Sequence, residues 1–193
     1  MVLCCLENRR ETVVKTRLIS GQFGGRFIAS PHTERTHPMG ERMRGALFNI
    51  LGDIDGVRAL DAFAGTGALG LEALSRGADE VVFIERDRVA QKVLQENIDL
   101  LDVNTRARLI KSSVSAWAET ADSPLFDVIF ADPPYHDLQL STVKKLIKYL
   151  KPNSLMILSH PGRELAPTVN GVVVVDNRSY GDAALAFYRL ESK

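Results

Sequence analysis

Strand-like and helix-like segments alternate through the chain from residue 57 to residue 159. Short apolar runs, typical of strands buried on both faces, are separated by longer segments whose apolar residues recur at helical spacing. This alternation predicts an α/β fold built on a doubly wound, mostly parallel sheet. The expected strands are residues 57–61, 80–85, 107–111, 126–130 and 154–159, and the expected helices are 67–76, 88–101, a short one around Trp117, and 139–150.

Two further β-like runs, residues 171–176 and 183–190, follow the last of these strands with only a short glycine-containing loop between them. Because no helix separates them, they predict an antiparallel hairpin at one side of a seven-stranded sheet. This ending favours the methyltransferase variant of the Rossmann-like fold. An NAD-binding sheet would normally continue in parallel.

The first part of the chain lies outside this alternation. Residues 17–30 predict a short β-hairpin, with strands at Leu18-Ile19 and Phe27-Ile28 and glycine-rich turn material between them. Residues 41–51 predict an amphipathic helix that stops at Gly52. The expected organisation is therefore a loose extension over residues 1–16, a small hairpin-and-helix unit over 17–52 and the main domain over 53–193.

The formal net charge of the 193 residues is zero, with 24 basic and 24 acidic side chains. This average excludes a uniformly basic, histone-like binder and an acidic disordered chain. It conceals an asymmetry, since residues 9–44 carry a net charge of +5 and the rest of the chain carries −5. A local positive face of this kind suits contacts to nucleic-acid phosphates, although an ordinary solvated surface has the same composition. The basic residues of the segment are Arg9, Arg10, Lys15, Arg17, Arg26, Arg35, Arg42 and Arg44.

The two cysteines of the chain, Cys4 and Cys5, are adjacent, and neighbouring cysteines rarely form a disulfide with each other. We therefore expect no structural disulfide and a reducing, cytoplasmic location. No apolar run in the sequence approaches the roughly 18 residues that a membrane-crossing helix needs. The sequence thus predicts a protein with no membrane partner.

A glycine-rich stretch, Asp61-Ala-Phe-Ala-Gly65-Thr-Gly67-Ala-Leu-Gly70, joins the first of the alternating strands to the helix after it. Gly65 and Gly67 permit a tight turn whose backbone approaches a ligand, and Gly70 permits close packing of the helix on the sheet. Dinucleotide sites share this spacing. Asp61, however, would repel a pyrophosphate at this point and would attract a zwitterionic or cationic ligand.

Glu85 ends the next strand, where a carboxylate can accept hydrogen bonds from both hydroxyls of a ribose. Asp87 competes for this role, but its position favours a cap of the following helix. Glu85 alone would suit NAD equally well. Asp61 is also compatible with a turn-stabilising acid, and Glu85 with a solvated strand end.

The stretch Asp132-Pro133-Pro134-Tyr135 follows an apolar strand and therefore lies at the carboxyl edge of the sheet, where doubly wound folds bind ligands. The two prolines hold an extended backbone, and their carbonyls, unopposed by local N–H donors, can point into the site. A rigid turn from strand to loop is the alternative interpretation.

Alkylation of an exocyclic amino group on a base is the chemistry that fits this set. Such a nitrogen is a weak nucleophile because its lone pair is delocalised into the ring. Asp132 and the Pro133 carbonyl can accept its two N–H groups, and Tyr135 can stack on the base. The sulfonium of S-adenosylmethionine is the methyl donor such a site would face. No metal is expected, because the histidines are scattered along the chain at positions 32, 37, 136 and 160.

These two motifs resemble those of class I S-adenosylmethionine-dependent N-methyltransferases. Four further segments narrow the resemblance to the bacterial 16S ribosomal RNA guanine-N2 methyltransferase family, RsmD. They are residues 17–26 (RLISGQFGGR), 42–51 (RMRGALFNIL), 67–77 (GALGLEALSRG) and 179–182 (SYGD). The resemblance covers about residues 17–190 of the chain.

The resemblance implies methyl transfer from S-adenosylmethionine to the N2 amino group of a guanine, with S-adenosylhomocysteine as the product. It also implies that the partner is 16S rRNA, either free or within an assembling 30S subunit. Nothing in the sequence suggests more than a monomer. With the motifs it gives three groups of expected site residues. They are Asp61, Phe63, Gly65, Gly67, Gly70, Glu85, Ser113 and Val114 for the donor, Asp132, Pro133, Pro134 and Tyr135 for catalysis, and Arg17, Arg26, Arg42 and Arg44 for RNA phosphates.

The sequence departs from the family pattern in two places. His37-Pro38-Met39 stands where the family usually has Arg-Pro-Thr, and Ser112-Ser113-Val114 stands where it often has an acid. The hydroxyl or backbone of Ser113 can still contact an adenine. The other functions considered are an amino-methyltransferase acting on another RNA or on DNA adenine or cytosine, an NAD-dependent oxidoreductase and a non-catalytic RNA-binding protein. A DNA enzyme needs a target-recognition insertion and an oxidoreductase needs a hydride-transfer pair, neither of which is evident. The intact Asp132–Tyr135 motif argues against the non-catalytic protein.

Overall fold

The computed structural model describes residues 14–30, 39–120 and 125–191, and these residues form two β-sheets and five α-helices. The strands are β1 (Val14–Arg17), β2 (Phe27–Ser30), β3 (Arg58–Asp61), β4 (Glu80–Glu85), β5 (Ala107–Lys111), β6 (Phe126–Ala131), β7 (Leu150–Pro161), β8 (Val172–Tyr180) and β9 (Ala183–Leu190). The helices are α1 (Glu41–Leu51), α2 (Ala68–Ser75), α3 (Arg88–Leu101), α4 (Val114–Thr120) and α5 (Leu140–Leu146), and a 3₁₀ turn spans Ile147–Tyr149.

The main sheet has seven strands in the order β5-β4-β3-β6-β7-β9-β8. Strands β3 to β7 run parallel, and β9 pairs antiparallel with both β7 and β8. This confirms the predicted mostly parallel sheet with a C-terminal antiparallel hairpin. The chain moves outward from β3 to β5, then returns to β6 on the other side, so the topological switch point lies between β3 and β6. Ligands of such sheets bind at that point, outside the carboxyl ends of the strands.

Helices cover both faces of the main sheet. One apolar core lies between the sheet and α1, α2, α3 and the β1–β2 hairpin, and a second lies between the sheet and α4 and α5. The central strands are buried on both faces, which explains their continuous apolar runs. Gly70 lies in α2 against β4, where a Cβ atom would come within 2.2 Å of the Phe83 ring. The close packing predicted at this glycine is therefore confirmed.

The predicted bounds of α1, β4, α3 and β5 agree with the structure. Asp87 caps α3, because its Oδ1 accepts hydrogen bonds from the N–H groups of Val89 and Ala90, each at 2.9 Å. This confirms the capping role predicted for Asp87.

The predicted helix over residues 139–150 is too long. α5 ends at Leu146, and after the 3₁₀ turn Leu150 is already extended and paired with Phe126 at the start of β7. The pairing of Leu150 with Phe126, a contact between residues distant in the chain, replaces the last helical turn that the local pattern predicts.

The β1–β2 hairpin, residues 14–30, pairs Thr16 with Ile28, so the first strand precedes the predicted Leu18-Ile19 position. Residues 14–16, predicted to belong to the loose extension, form part of this hairpin. The reason is a long-range contact. The N–H groups of Ile19 and Ser20 donate to the buried carboxylate of Glu72 in α2, at 2.7 and 3.1 Å, instead of pairing with β2. Cys4, Cys5, Arg9, Arg10, Arg35, His37 and Pro38 lie outside the described residues.

Candidate active site

The carboxyl ends of β3 and β6 bring the two sequence motifs together at the switch point. Asp61 is the last residue of β3 and pairs with Phe130 of β6, and the N–H of Ala62 donates to the Phe130 carbonyl at 3.0 Å. Asp132 follows β6 directly. The glycine-rich loop and the Asp132–Tyr135 motif therefore leave the sheet side by side.

Asp61 is a buried acid with only 1% of its surface exposed. Its Oδ2 accepts a hydrogen bond from the N–H of Gly70 at 2.9 Å. Burial raises the pKa of Asp61 to about 7, the Gly70 N–H opposes this rise, and the charges of Asp132 and Glu85 add to it. A cation placed here would relieve the cost of the charged carboxylate, so the position favours a positively charged ligand.

The loop after Asp61 depends on two glycines in the left-handed region, Gly65 with φ +53° and Gly67 with φ +79°. A Cβ atom on Gly67 would come within 2.3 Å of Leu94 in α3, whereas nothing lies within 4 Å of the corresponding position on Gly65. Gly65 therefore borders open space, which its bare backbone leaves free for a ligand.

Glu85, the predicted ribose ligand, ends β4 and contacts this loop directly. Its Oε2 accepts a hydrogen bond from the N–H of Gly65 at 2.7 Å, and its Oε1 accepts one from the N–H of Asp87 at 2.7 Å. The carboxylate thus fixes the start of the loop and the start of α3 relative to each other. Two further lone-pair positions on these oxygens remain for a ribose.

The other predicted donor-site residues lie near the same sheet edge. The N–H of Ser112 donates to the Glu85 carbonyl at 3.1 Å, which places the segment after β5 beside the end of β4. The Ser113 Oγ accepts a hydrogen bond from the N–H of Ala116 at 3.2 Å and so helps to start α4. Val114 is buried, and Phe63 is partly buried against the same core.

Asp132 lies at the sheet edge and is partly buried. Burial raises its pKa to about 6, and the nearby Ser159 hydroxyl opposes that rise. The carboxylate is therefore ionised at neutral pH and can accept hydrogen bonds from a substrate.

The two prolines after Asp132 differ in the state of their carbonyl groups. The Pro134 carbonyl accepts a hydrogen bond from the N–H of Asp137 at 2.9 Å. The prediction that both proline carbonyls lack a local donor is therefore wrong for Pro134, because a turn forms directly after it. Within the described parts of the chain, no hydrogen bond reaches the Pro133 carbonyl, which leaves it as the candidate acceptor.

Tyr135 extends from this edge with 40% of its surface exposed. Its hydroxyl lies 2.7 Å from the Oγ of Ser159, a buried residue of β7. Sequence reasoning missed Ser159. Leu158 of β7 pairs with Ala131 of β6, so Ser159 and Asp132 occupy equivalent positions after the apolar runs of neighbouring strands. The position of Ser159 directly after an apolar run was the sequence signal that could have identified it.

Comparison with known proteins decides the family. The model of the family described as Conserved hypothetical protein 95 matches residues 16–189. Ribosomal RNA small subunit methyltransferase D of Haemophilus influenzae is 36% identical over 148 residues, which cover 74% of this chain and 77% of that protein. The enzyme of the same name from Escherichia coli K12 is 38% identical over 120 residues, 62% of this chain and 60% of that protein. The chain belongs to the RsmD family.

Solved structures agree with this assignment to the RsmD family. An Escherichia coli protein provisionally described as a methyltransferase superposes with a TM-score of 0.83 at 31% identity, covering 93% of this chain and all of that one. A Thermus thermophilus protein of undescribed function gives a TM-score of 0.77 at 31% identity, covering 91% and 99% of the two chains. These structures and this chain share the class I methyltransferase fold.

Three of the four arginines predicted to bind RNA are exposed in this RsmD-family chain. Arg17 forms an ion pair with Glu41 at 2.9 Å, and this neighbour raises the pKa of Arg17. The Arg26 guanidinium lies over the Phe23 ring at 5.7 Å, and Arg42 lies on the exposed face of α1.

Arg44 is a correction, because it is fully buried. It donates to the carbonyls of Met39 and Arg17, and its Nε lies 3.8 Å from Glu72 Oε2. Desolvation lowers the pKa of Arg44. Its guanidinium ties α1 and the hairpin to α2 and cannot reach a phosphate. Two residues apart on one helix, Arg42 and Arg44 therefore have different environments.

The remaining predictions concern metals and membranes. In residues 14–30, 39–120 and 125–191, no three His, Cys, Asp or Glu side chains are grouped closely enough to hold a metal ion. Among those same residues, no helix has the length and apolar character to cross a bilayer.

Proposed function

We propose that this chain transfers a methyl group from S-adenosylmethionine to the exocyclic N2 amino group of a guanine in 16S ribosomal RNA. The observation that carries the proposal is the adjacency of Asp61 and Asp132 at the ends of β3 and β6. One acid belongs to the loop suited to the donor, and the other belongs to the motif suited to the acceptor. Both relatives named above are ribosomal RNA methyltransferases by name, which supports the substrate class.

The donor side of the site is acidic and has an open backbone. Asp61 and Glu85 supply negative charge, and Gly65 leaves space beside the loop. S-adenosylmethionine carries an ammonium group and a sulfonium whose methyl is the electrophile, so its charges match these residues. Asp61 would attract the cationic end and Glu85 would accept from the ribose hydroxyls. Ser113, Val114 and Phe63 would border the adenine.

The acceptor side would orient the guanine amino group. The Asp132 carboxylate and the Pro133 carbonyl would each accept one N–H, so that the nitrogen lone pair faces the methyl group. The target base must leave its stack to reach this edge, and Tyr135 offers a face on which it can stack. Positioning of this kind contributes roughly 7–11 kcal/mol to catalysis in favourable cases.

The RNA side would be the exposed cationic surface of the hairpin and α1. Arg17, Arg26 and Arg42 would contact phosphates, which position a nucleic acid without reading its sequence. The unit over residues 17–52 is thus proposed as the RNA-binding part and 53–193 as the methyltransferase domain. We propose 16S rRNA, free or in an assembling 30S subunit, as the partner of a cytoplasmic monomer.

The deciding experiment compares Asp132→Ala with Asp127→Ala. Asp132 directly follows β6, whereas Asp127 lies near the opposite end of that strand and forms an ion pair with Lys151 at 2.8 Å. Unmethylated 16S rRNA transcript, 30S subunits and a DNA duplex are each incubated with radiolabelled S-adenosylmethionine, and the product nucleoside is identified by mass spectrometry.

We expect N2-methylguanine in RNA from the wild type and from Asp127→Ala. Asp132→Ala should lose most turnover and still bind S-adenosylhomocysteine. Full turnover by Asp132→Ala would refute the proposed acceptor site. Methylation of DNA instead of RNA would support the amino-methyltransferase alternative.

A further inference from the structure

The side chain of Asn97 joins the β1–β2 hairpin to the glycine-rich loop. Its Oδ1 accepts a hydrogen bond from the N–H of Ala29 in β2 at 2.8 Å. Its Nδ2 donates to the carbonyls of Ala29 and Thr66, at 3.0 and 3.1 Å. Asn97 is 1% exposed on α3, and none of the roles proposed above uses it.

The carbonyl that Asn97 holds belongs to the most constrained part of the loop. Thr66 is buried between Gly65 and Gly67, both of which have positive φ. On the other side of the same turn, the N–H of Gly65 donates to Glu85. The turn is therefore fixed on one side by Glu85 at the end of β4. On the other side it is fixed by Asn97, which connects it to α3 and the hairpin.

Asparagine suits this position because one side chain supplies both donors and an acceptor in the same plane. An aspartate would keep the acceptor for the Ala29 N–H but would place oxygen against two carbonyl oxygens. An alanine would leave the buried Thr66 carbonyl and the two partly buried main-chain groups of Ala29 without these bonds, and a buried polar group is costly to leave unpaired.

We propose that Asn97 is a positioning residue that couples RNA docking on the hairpin to the geometry of the donor-binding loop. This inference rests on the proposed function, because it assigns the hairpin to RNA and the loop to S-adenosylmethionine. A shift of β2 on RNA binding changes the hydrogen bond from Asn97 to the Thr66 carbonyl, and this alters the backbone conformation at Gly65. Since binding linkage is reciprocal, RNA and the donor then alter each other's affinity by the same factor.

The matched control is Ser75→Ala, which loosens the hairpin at a place remote from the loop. Ser75 lies in α2, and its Oγ accepts from the N–H of Phe23 at 2.9 Å and donates to the Ser20 carbonyl. It anchors the turn of the hairpin and makes no hydrogen bond to residues 62–67 within the described chain. A purely structural loss of hairpin anchoring is common to both variants, whereas a change at the loop is expected only for Asn97.

The first measurement is hydrogen–deuterium exchange on the free protein. Asn97→Ala and Asn97→Asp should speed exchange of the Gly65 and Gly67 amides at least tenfold. Ser75→Ala should speed exchange in residues 18–25 and leave the loop amides at the wild-type rate. If one Asn97 variant does not fold, the other decides the comparison.

The second measurement is calorimetric titration of S-adenosylhomocysteine with and without saturating unmethylated 16S rRNA transcript. In the wild type, RNA should tighten this binding roughly fivefold or more, the usual lower range of coupling between sites. The ratio should approach one in the Asn97 variants and stay at the wild-type value in Ser75→Ala.

Wild-type loop exchange in both Asn97 variants would overturn the inference, as would equal loss of coupling in Ser75→Ala. If the wild type bound neither S-adenosylhomocysteine nor RNA, the proposed function would fail. The exchange comparison would then still decide whether Asn97 links the hairpin to the loop.

Discussion

The hydroxyl of Tyr135 and the Oγ of Ser159 lie 2.7 Å apart, across the boundary between the Asp132–Tyr135 motif and β7. The same serine hydroxyl also acts on Asp132, where it lowers the pKa of the carboxyl against the effect of burial. One buried hydroxyl therefore influences both the proposed acceptor carboxylate and the proposed stacking ring.

Replacement of Ser159 by alanine should misplace both groups. Without this hydroxyl, the Asp132 pKa should rise above about 6, and kcat should fall roughly tenfold at neutral pH while donor affinity is unchanged. The measurement is the pH profile of kcat for RNA methylation. Ser154→Ala, which removes another buried serine from β7, is the control and should keep the wild-type profile. Identical profiles for the two variants would contradict a positioning role for Ser159.

The pH dependence of the wild-type reaction should follow Asp132. The carboxyl must be ionised to accept the amino N–H, and burial raises its pKa to about 6. With saturating donor, kcat/KM for RNA should therefore rise with pH through about 6 and then level. A profile that is flat across this range would show that ionised Asp132 is not needed.

Asp61→Asn should stabilise the protein and weaken its donor binding. Because the Asp61 pKa rises from 3.8 to about 7, the folded chain holds a proton that the unfolded chain releases. Stability then falls as pH rises from about 4 to about 7, by an amount on the order of 4 kcal/mol at most. An asparagine cannot ionise, so the variant should unfold at higher temperature at pH 8.

Thermal unfolding across this pH range and calorimetry with S-adenosylhomocysteine check the prediction for Asp61. The exposed residue Asp79 gives the control variant Asp79→Asn, which should change neither quantity. A lower unfolding temperature for Asp61→Asn at pH 8 would show that the buried carboxylate is not a stability cost.

Gly65→Ala should impair donor binding beyond its effect on folding. Gly65 and Gly181 both have positive φ and open space at the Cβ position, so alanine at either costs about 1–2 kcal/mol of backbone strain. Only Gly65 borders the proposed donor site. Unfolding should thus change equally in Gly65→Ala and Gly181→Ala, while the Kd for S-adenosylhomocysteine rises more than tenfold in the first alone. Equal Kd values for Gly65→Ala and Gly181→Ala would show that the donor does not bind beside Gly65.

Substitution of Arg42 should affect RNA binding, and substitution of Arg44 should affect the stability of the fold. Arg42→Ala should reduce the salt dependence of RNA affinity by about one unit of slope and leave stability unchanged. Arg44→Met removes a buried cation beside Glu72 and should destabilise the fold by about 3 kcal/mol. RNA binding at several salt concentrations and denaturant unfolding separate the two effects. A normal salt slope in Arg42→Ala would place the RNA elsewhere.

The parts of the fold that the sequence predicted well are those set by local patterns. The bounds of α3 follow from its apolar stripe and from Asp87, and β4 is a single buried run. The glycine-rich loop and the Asp132–Tyr135 motif were found because their chemistry is contiguous in the chain.

The parts that could not be predicted depend on long-range contacts. Arg44 looks like an ordinary surface cation until Glu72, 28 residues later, is placed beside it. Ser159 acquires a role only when β7 is known to lie beside β6, and Asn97 only when β2 is known to pack on α3. Strand order and side-chain pairing across elements decide the roles of these three residues.

The hydrogen bonds from the hairpin to Glu72, Ser75 and Asn97 make it unsuitable as a portable module. A chimaera that transplants residues 14–30 onto another methyltransferase sheet would bury main-chain groups that have no partners there. The graft needs those three acceptor side chains, and Arg44 to accompany Glu72. Exchange of substrate specificity between members of this family should thus proceed by changes at exposed residues of the hairpin. The hairpin residues that contact α2 and α3 should be retained.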